Sequence, residues 1–245
     1  MLIVFLKGMI IGIANVIPGV SGGTASVLLG VYSQLTESIA NFFKVNKKKK
    51  IEYTKFLSVI GFGILCGIVL FAKLIKFFIV EYPILTTSFF TILILLSLPA
   101  IIKGFNFKKT ENIYFFILGI AVMTIVILLN YIYRGANNFT LRESFDFYYC
   151  LKIFLCGVIS SFAMVIPGIS GSLLLLIIGE YYNILSYVSN FTVKPLFFLL
   201  IGILLGVLIS TKTINYLLEN YKEKTMFFIF GIILTSIFQI WMNIV

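Results

Sequence analysis

The chain has 245 residues, of which 60% are hydrophobic and only 11% charged, with a net charge of +10 and a mean hydropathy of +1.11. A water-soluble domain could not hold that much apolar side chain without exposing it, so a soluble globular protein is excluded and no nucleic-acid partner is expected. The apolar runs far exceed the roughly ten-residue alternating segments of an outer-membrane barrel, which makes the fold class an all-α integral membrane protein. Histidine is absent, and Cys66, Cys150 and Cys156 show no CxxC spacing. No metal or cofactor is therefore expected, and the cysteines read as packing residues.

In chain order, Met1 to Leu6 lacks a basic segment and no cleavage site follows, so the first apolar run is expected to remain in place. Residues Gly8 to Thr36 are uncharged, yet NVIPGVSGGT sits in their middle. The stretch from Gly8 to Ile17 would make about 15 Å of helix, half of a hydrocarbon core roughly 30 Å thick. This predicts a re-entrant hairpin. Pro18 ends its first leg, and Gly19, Gly22 and Gly23 permit the reversal. A loop crowded with Lys44, Lys47 to Lys50 and Lys55 follows, then apolar helices over roughly 56–78 and 84–102 and a second basic loop holding Lys103, Lys108 and Lys109. Ile113 to Tyr133 is long enough to span once; a loop with Arg134 and Arg142 leads to a second motif-bearing segment and to helices over roughly 195–217 and 225–244.

That second segment repeats the first. At an offset of 149, FLKGMIIGIANVIPGVSGGTASVLLGVY falls on FLCGVISSFAMVIPGISGSLLLLIIGEY, matching Pro18 with Pro167, Gly19 with Gly168, Ser21 with Ser170, Gly22 with Gly171, Gly30 with Gly179 and Tyr32 with Tyr181. At an offset of 139, GILCGIVLFAK falls on GILLGVLISTK, each with a GxxxG suited to close helix contact. The organisation expected is 1–110 as a first repeat, 111–146 as a linking helix and outer loop, and 147–245 as a second repeat. If both motif segments are hairpins, three spans separate them and the second repeat is inverted. The basic loops, with Lys222 and Lys224, then share the cytoplasmic side. Paired interruptions in inverted repeats point to a transporter whose site lies where they meet.

The PGxSG turns must be buried or line a hydrated cavity, because bare backbone is too costly in hydrocarbon. Each starts a new helix, whose unpaired amides and positive dipole end suit an anion; Ser21, Thr24, Ser170 and Ser172 add hydroxyls. The same hydroxyls are ordinary N-caps, the bland alternative.

AN-x-IPGVSGGT in the first copy and IPGISGS in the second, each followed by G-x-Y, resemble the bacterial membrane family long catalogued as domain of unknown function 368, regarded as polyprenyl-phosphate transporters. The resemblance spans essentially the whole chain. It implies movement of undecaprenyl phosphate from the outer to the inner leaflet of the bacterial cytoplasmic membrane, so that the lipid carrier is reused in cell-wall synthesis. Carried over by motif position, the headgroup site comprises Asn15, Pro18, Gly19, Ser21, Gly22, Gly23, Thr24, Pro167, Gly168, Ser170, Gly171 and Ser172. Its partners would be the polyprenyl phosphate and the bilayer, with proton or sodium coupling and the oligomeric state left open.

Lys7, Arg134, Arg142, Lys152 and Glu180 are candidates for gating or headgroup attraction. For Lys7 and Lys152 snorkelling to the interface is the default, and Glu180, thirteen residues after Pro167, is expected near the membrane surface. The nearest rival is a membrane enzyme resembling undecaprenyl diphosphate phosphatase. That family carries an arginine where this chain has Gly22 and Gly171, together with a histidine and a Glu-x3-Glu pair. The Glu-x3-Glu of this chain, Glu219 and Glu223, lies in a polar stretch. A carrier for another anionic lipid or a small anion is the other alternative.

Overall fold

The structure is a computed structural model and describes residues 1–16, 21–102, 110–133 and 145–242. Pro18, Gly19, Arg134 and Arg142, and the basic loop at Lys103, Lys108 and Lys109, lie outside the described residues. Eleven helices and no strands are found among them. In order they are α1 (Leu2–Val16), α2 (Gly22–Leu28), α3 (Tyr32–Ala40), α4 (Lys47–Glu81), α5 (Pro83–Ile102), α6 (Thr110–Tyr133), α7 (Phe147–Val165), α8 (Gly171–Ile178), α9 (Tyr181–Ser189), α10 (Val193–Asn220) and α11 (Lys222–Met242).

The long helices fall where apolar run length puts them, with one difference at α4. The lysine-rich stretch expected as loop is helical from Lys47, because Asn46 caps it, its Oδ1 accepting from the Lys49 amide at 3.0 Å, and lysine is a good helix former. Among the described residues, five segments, Lys47–Phe71, Glu111–Tyr133, Phe147–Val165, Val193–Asn220 and Lys222–Met242, are long and apolar enough to cross a membrane. Leu65, Val69 and Leu70 on α4 and Leu200 and Leu204 on α10 stand exposed, a surface at home against lipid tails. At 19 residues, α7 is longer than a half-membrane leg, whereas α1 is not among those five.

The helices pack in matched pairs, α1 along α4 and α7 along α10. A Cβ at Gly63 or Gly67 would overlap the carbonyls of Phe5 and Met9. The counterparts Gly202 and Gly206 would meet those of Phe154 and Val158, the same positions displaced by the two repeat offsets. Gly8 meets the Ile60 carbonyl as Gly157 meets that of Leu199. Such contacts bring backbones close enough for dispersion to hold helices together where lipid removes any hydrophobic drive. α6 packs on α11 through Gly119 and Gly231 in the same manner. Contact between the two sets runs through α3 against α10, α2 against α7, and α5 against α11.

Candidate functional site

At the first break the motif folds back on itself. Asn15, in the last turn of α1, accepts from the Gly22 amide through Oδ1 at 3.1 Å, and Ser21, extended at the N-cap of α2, accepts from the Gly23 amide at 3.2 Å. These amides, which the sequence offers to an anion, are thus already engaged by side chains. Ser26 Oγ donates to the Gly23 carbonyl at 2.7 Å. Thr24 is different: it is 2% exposed and its hydroxyl has no hydrogen-bond partner among the described residues. A buried hydroxyl left unpaired costs about 1–3 kcal/mol, so its presence asks for a ligand or a water.

At the second break Pro167 and Gly168 are buried. Gly168 has φ +92°, a left-handed conformation, and a Cβ there would stand 2.5 Å from Ile232 Cγ2 on α11, so only glycine fits. Ser170 occupies the N-cap of α8 without making a cap bond; its hydroxyl lies 2.8 Å from that of Ser172, which is exposed. Gly171 lets α8 lie against α7, since a Cβ would come within 2.5 Å of the Ser160 carbonyl oxygen.

The first turn of α2 rests on the broken end of α7. A Cβ at Gly23 would be 3.2 Å from both the Met164 carbonyl oxygen and Pro167 Cα, and the Tyr32 hydroxyl donates to the Val165 carbonyl at 3.0 Å. The bond satisfies one of the carbonyls that the last turn of α7 leaves without an intrahelical partner. The first turn of α2 thus lies beside Pro167, with Gly23 at the close approach. The copies differ in chemistry, because Asn15, Gly23 and Thr24 correspond to Met164, Ser172 and Leu173.

Lys7, Lys152 and Glu180 each make polar contacts within the protein. Lys7 Nζ donates to the Leu29 carbonyl at 2.7 Å, tying the open end of α1 to that of α2. Lys152 on α7 pairs with Glu180 at 2.5 Å, tying α7 to the end of α8. Glu180 is 4% exposed and also accepts from the Tyr149 hydroxyl at 2.8 Å and Asn183 Nδ2 at 2.9 Å; the Tyr149 and Tyr187 hydroxyls are 2.8 Å apart. Sequence reasoning missed Tyr149, Asn183 and Tyr187 because no repeat partner flags them: Glu180 itself aligns with Val31. Tyr32 was visible as a repeated residue, but nothing in the pattern assigned it a partner.

The unequal capping gives a test. Ser21→Ala should lower stability by about 1 kcal/mol through loss of the α2 cap, whereas Ser170→Ala, which breaks no cap bond, should leave it within a few tenths. Thermal unfolding in detergent reads both; equal losses would contradict the assignment.

A family profile described as VCA0040-like, undecaprenyl phosphate translocase-like, matches residues 11–244. A protein of Vibrio cholerae serotype O1 named polyprenyl-phosphate transporter is 32% identical over 247 aligned positions, covering 97% of this chain and 76% of its own. One of Staphylococcus aureus with the same name is 33% identical over 246, covering 96% of this chain and 84% of its own. No solved structure matches at a comparable level. With five helices suited to crossing a bilayer, this is a multi-pass membrane protein. By a match that runs nearly from end to end, the chain belongs to the undecaprenyl phosphate translocase-like family.

Proposed function

We propose that the chain carries undecaprenyl phosphate, or a close polyprenyl phosphate, across the bacterial cytoplasmic membrane from the outer to the inner leaflet, returning lipid carrier to cell-wall synthesis. The observation that carries this reading is the buried, unpartnered Thr24 hydroxyl in the first turn of α2, where that turn rests on the broken end of α7. The phosphate would enter between the two breaks, with Thr24 as its first donor and Ser21, Ser170, Ser172 and Asn15 around it. Pro167, Gly168, Gly22, Gly23 and Gly171 shape the turns, and Pro18 and Gly19, outside the described residues, belong to the headgroup motif by position. The prenyl tail stays in lipid beside the gap. The relatives' names, both polyprenyl-phosphate transporter, point the same way.

In this reading α1–α2 and α7–α8 are re-entrant hairpins. The return legs support it, since seven and eight residues make only about 10 and 12 Å of helix, too short to cross. The helix pair Gly171–Ile178 and Tyr181–Val188 is bent by 113°, which turns the chain aside after the return. With α4, α5 and α6 between the hairpins, the unit 147–245 is inverted relative to 1–110, and 111–146 links them. Inversion would give each leaflet an equivalent opening to the headgroup site.

A phosphatase fits the geometry less well. Arginine cannot stand at Gly171, where a Cβ would lie 2.5 Å from the Ser160 carbonyl oxygen, and at Gly22 it would have to displace the Asn15 side chain, whose Oδ1 lies 2.5 Å from such a Cβ. Glu219 and Glu223 are engaged near the α10–α11 corner, accepting from Asn215 at 2.8 Å and Asn112 at 3.1 Å.

The test is leaflet exchange of undecaprenyl phosphate in proteoliposomes, read as lipid that becomes accessible to an external phosphate-modifying enzyme, with and without a proton or sodium gradient. The expected result is exchange well above that of protein-free vesicles. Exchange no faster than theirs under every gradient, in protein shown to be folded, would defeat the proposal, and release of phosphate from the diphosphate would favour the enzyme.

A further inference from the structure

Each hairpin is tied at its open end by a lysine on its first leg, but the ties are chemically unequal. Lys7 binds a neutral carbonyl, whereas Lys152 binds a buried carboxylate. The two lysines sit one helical turn apart in the repeat register, since Lys7 aligns with Cys156, four residues after Lys152. Lys152 is half exposed, its side chain at 48%, while Glu180 is closed off beneath it at 5%. The pair is thus a cation open to the surroundings on top of an anion that is not.

The environment of Glu180 decides what happens if Lys152 leaves it. From α7 it is faced by Lys152 and Tyr149, with the Cys156 thiol packed in the same cluster. From α9 come Asn183 directly and Tyr187 through Tyr149. The apolar side chains packed with this cluster include Ile178 of α8 and Leu196 and Leu199 of α10. Lys152 is the cation in that set. A carboxylate held by two neutral donors in an apolar surround, with its cation withdrawn, is an uncompensated buried charge, and it is relieved by taking up a proton.

We propose that Lys152 is a second phosphate contact at the open end of the α7–α8 hairpin, and that a lipid phosphate arriving there displaces Glu180, which accepts a proton from the adjoining water as the exchange occurs. This rests on the headgroup reading above and adds a proton link to it. No bond other than hydrogen bonds changes: one proton moves from water to Glu180, and Lys152 keeps its charge and trades one anion for another. Lower pH therefore favours capture at this end. The α1–α2 hairpin has no such link, because Lys7 is tied to a carbonyl that cannot titrate and the position of Glu180 is held by Val31.

The experiment is calorimetric titration of the detergent-solubilised protein with farnesyl phosphate, in two buffers of the same pH but different ionisation enthalpy, which yields the protons taken up per ligand bound. The wild type is expected to take up more protons than Glu180→Gln, by as much as one per ligand, and Glu180→Gln to bind at neutral pH at least as tightly as the wild type. Lys152→Met should retain binding at the turns but lose the extra uptake. Equal proton uptake by the wild type and both variants, all binding and all monodisperse, would overturn the exchange while leaving the headgroup reading intact. Absence of binding by the folded wild type would remove both.

Discussion

Thr24→Val is expected to raise thermal stability and to lower transport in the same molecule. Valine keeps the shape of threonine and deletes a hydroxyl that is buried and unpartnered. Removing an unsatisfied polar atom recovers about 1–3 kcal/mol, enough to raise the unfolding temperature by several degrees. If that hydroxyl meets the phosphate, its loss forfeits a hydrogen bond to a charged group worth about 1.5–3 kcal/mol, or roughly a tenfold to hundredfold loss of affinity. Stability comes from melting curves in detergent, and transport from the proteoliposome assay. A gain in stability with transport untouched would show that the Thr24 hydroxyl meets no phosphate. A fall in both would make Thr24 an ordinary packing residue.

Gly206→Leu should prevent recovery of folded protein. A Cβ at Gly206 would overlap the Ser161 hydroxyl and lie 2.6 Å from the Val158 carbonyl oxygen and 2.9 Å from Val158 Cα, so α7 must part from α10. Overpacking costs about 1–3 kcal/mol where side chains can yield, and more where the obstacle is backbone, as here. Gly61→Ala is the matched control, since a Cβ there meets nothing within 4 Å and the exchange improves helix propensity by about 1 kcal/mol. Size-exclusion profiles and melting temperatures of the two variants would be compared. Gly206→Leu eluting and melting like the wild type would show that α7 and α10 do not meet as described.

The long helices were legible because uncharged runs of about twenty residues have few alternatives, and α5, α6, α10 and α11 start and end within three residues of the sequence reading. The beginning of α4 was not, because a lysine run reads as loop by charge while Asn46 and the helix propensity of lysine extend the helix through it. The length of α7 was masked by the same proline argument that suited α1, since the residues before Pro167 include Lys152, whose charge breaks the apolar run without breaking the helix. The paired breaks were visible as a repeat, but the engagement of the Gly22 amide by Asn15 was not. That bond joins the last turn of one helix to the first residue of the next, and a period within a helix carries no signal across such a break. The Glu180 cluster gathers α7, α8–α9 corner and α9 side chains that only tertiary packing brings together.

The unequal furnishing of the two breaks bears on whether one motif segment could replace the other. Asn15 and Thr24 stand against Met164 and Leu173, while Lys152 and Glu180 stand against Ile3 and Val31. One copy holds the uncharged polar residues and the other holds the ion pair. A homodimer assembled from the first copy would pair two threonines and have no carboxylate, and one assembled from the second would face leucine with leucine. The two breaks are equal in register and unequal in chemistry, so exchanging one motif segment for the other would not restore the same set of polar groups.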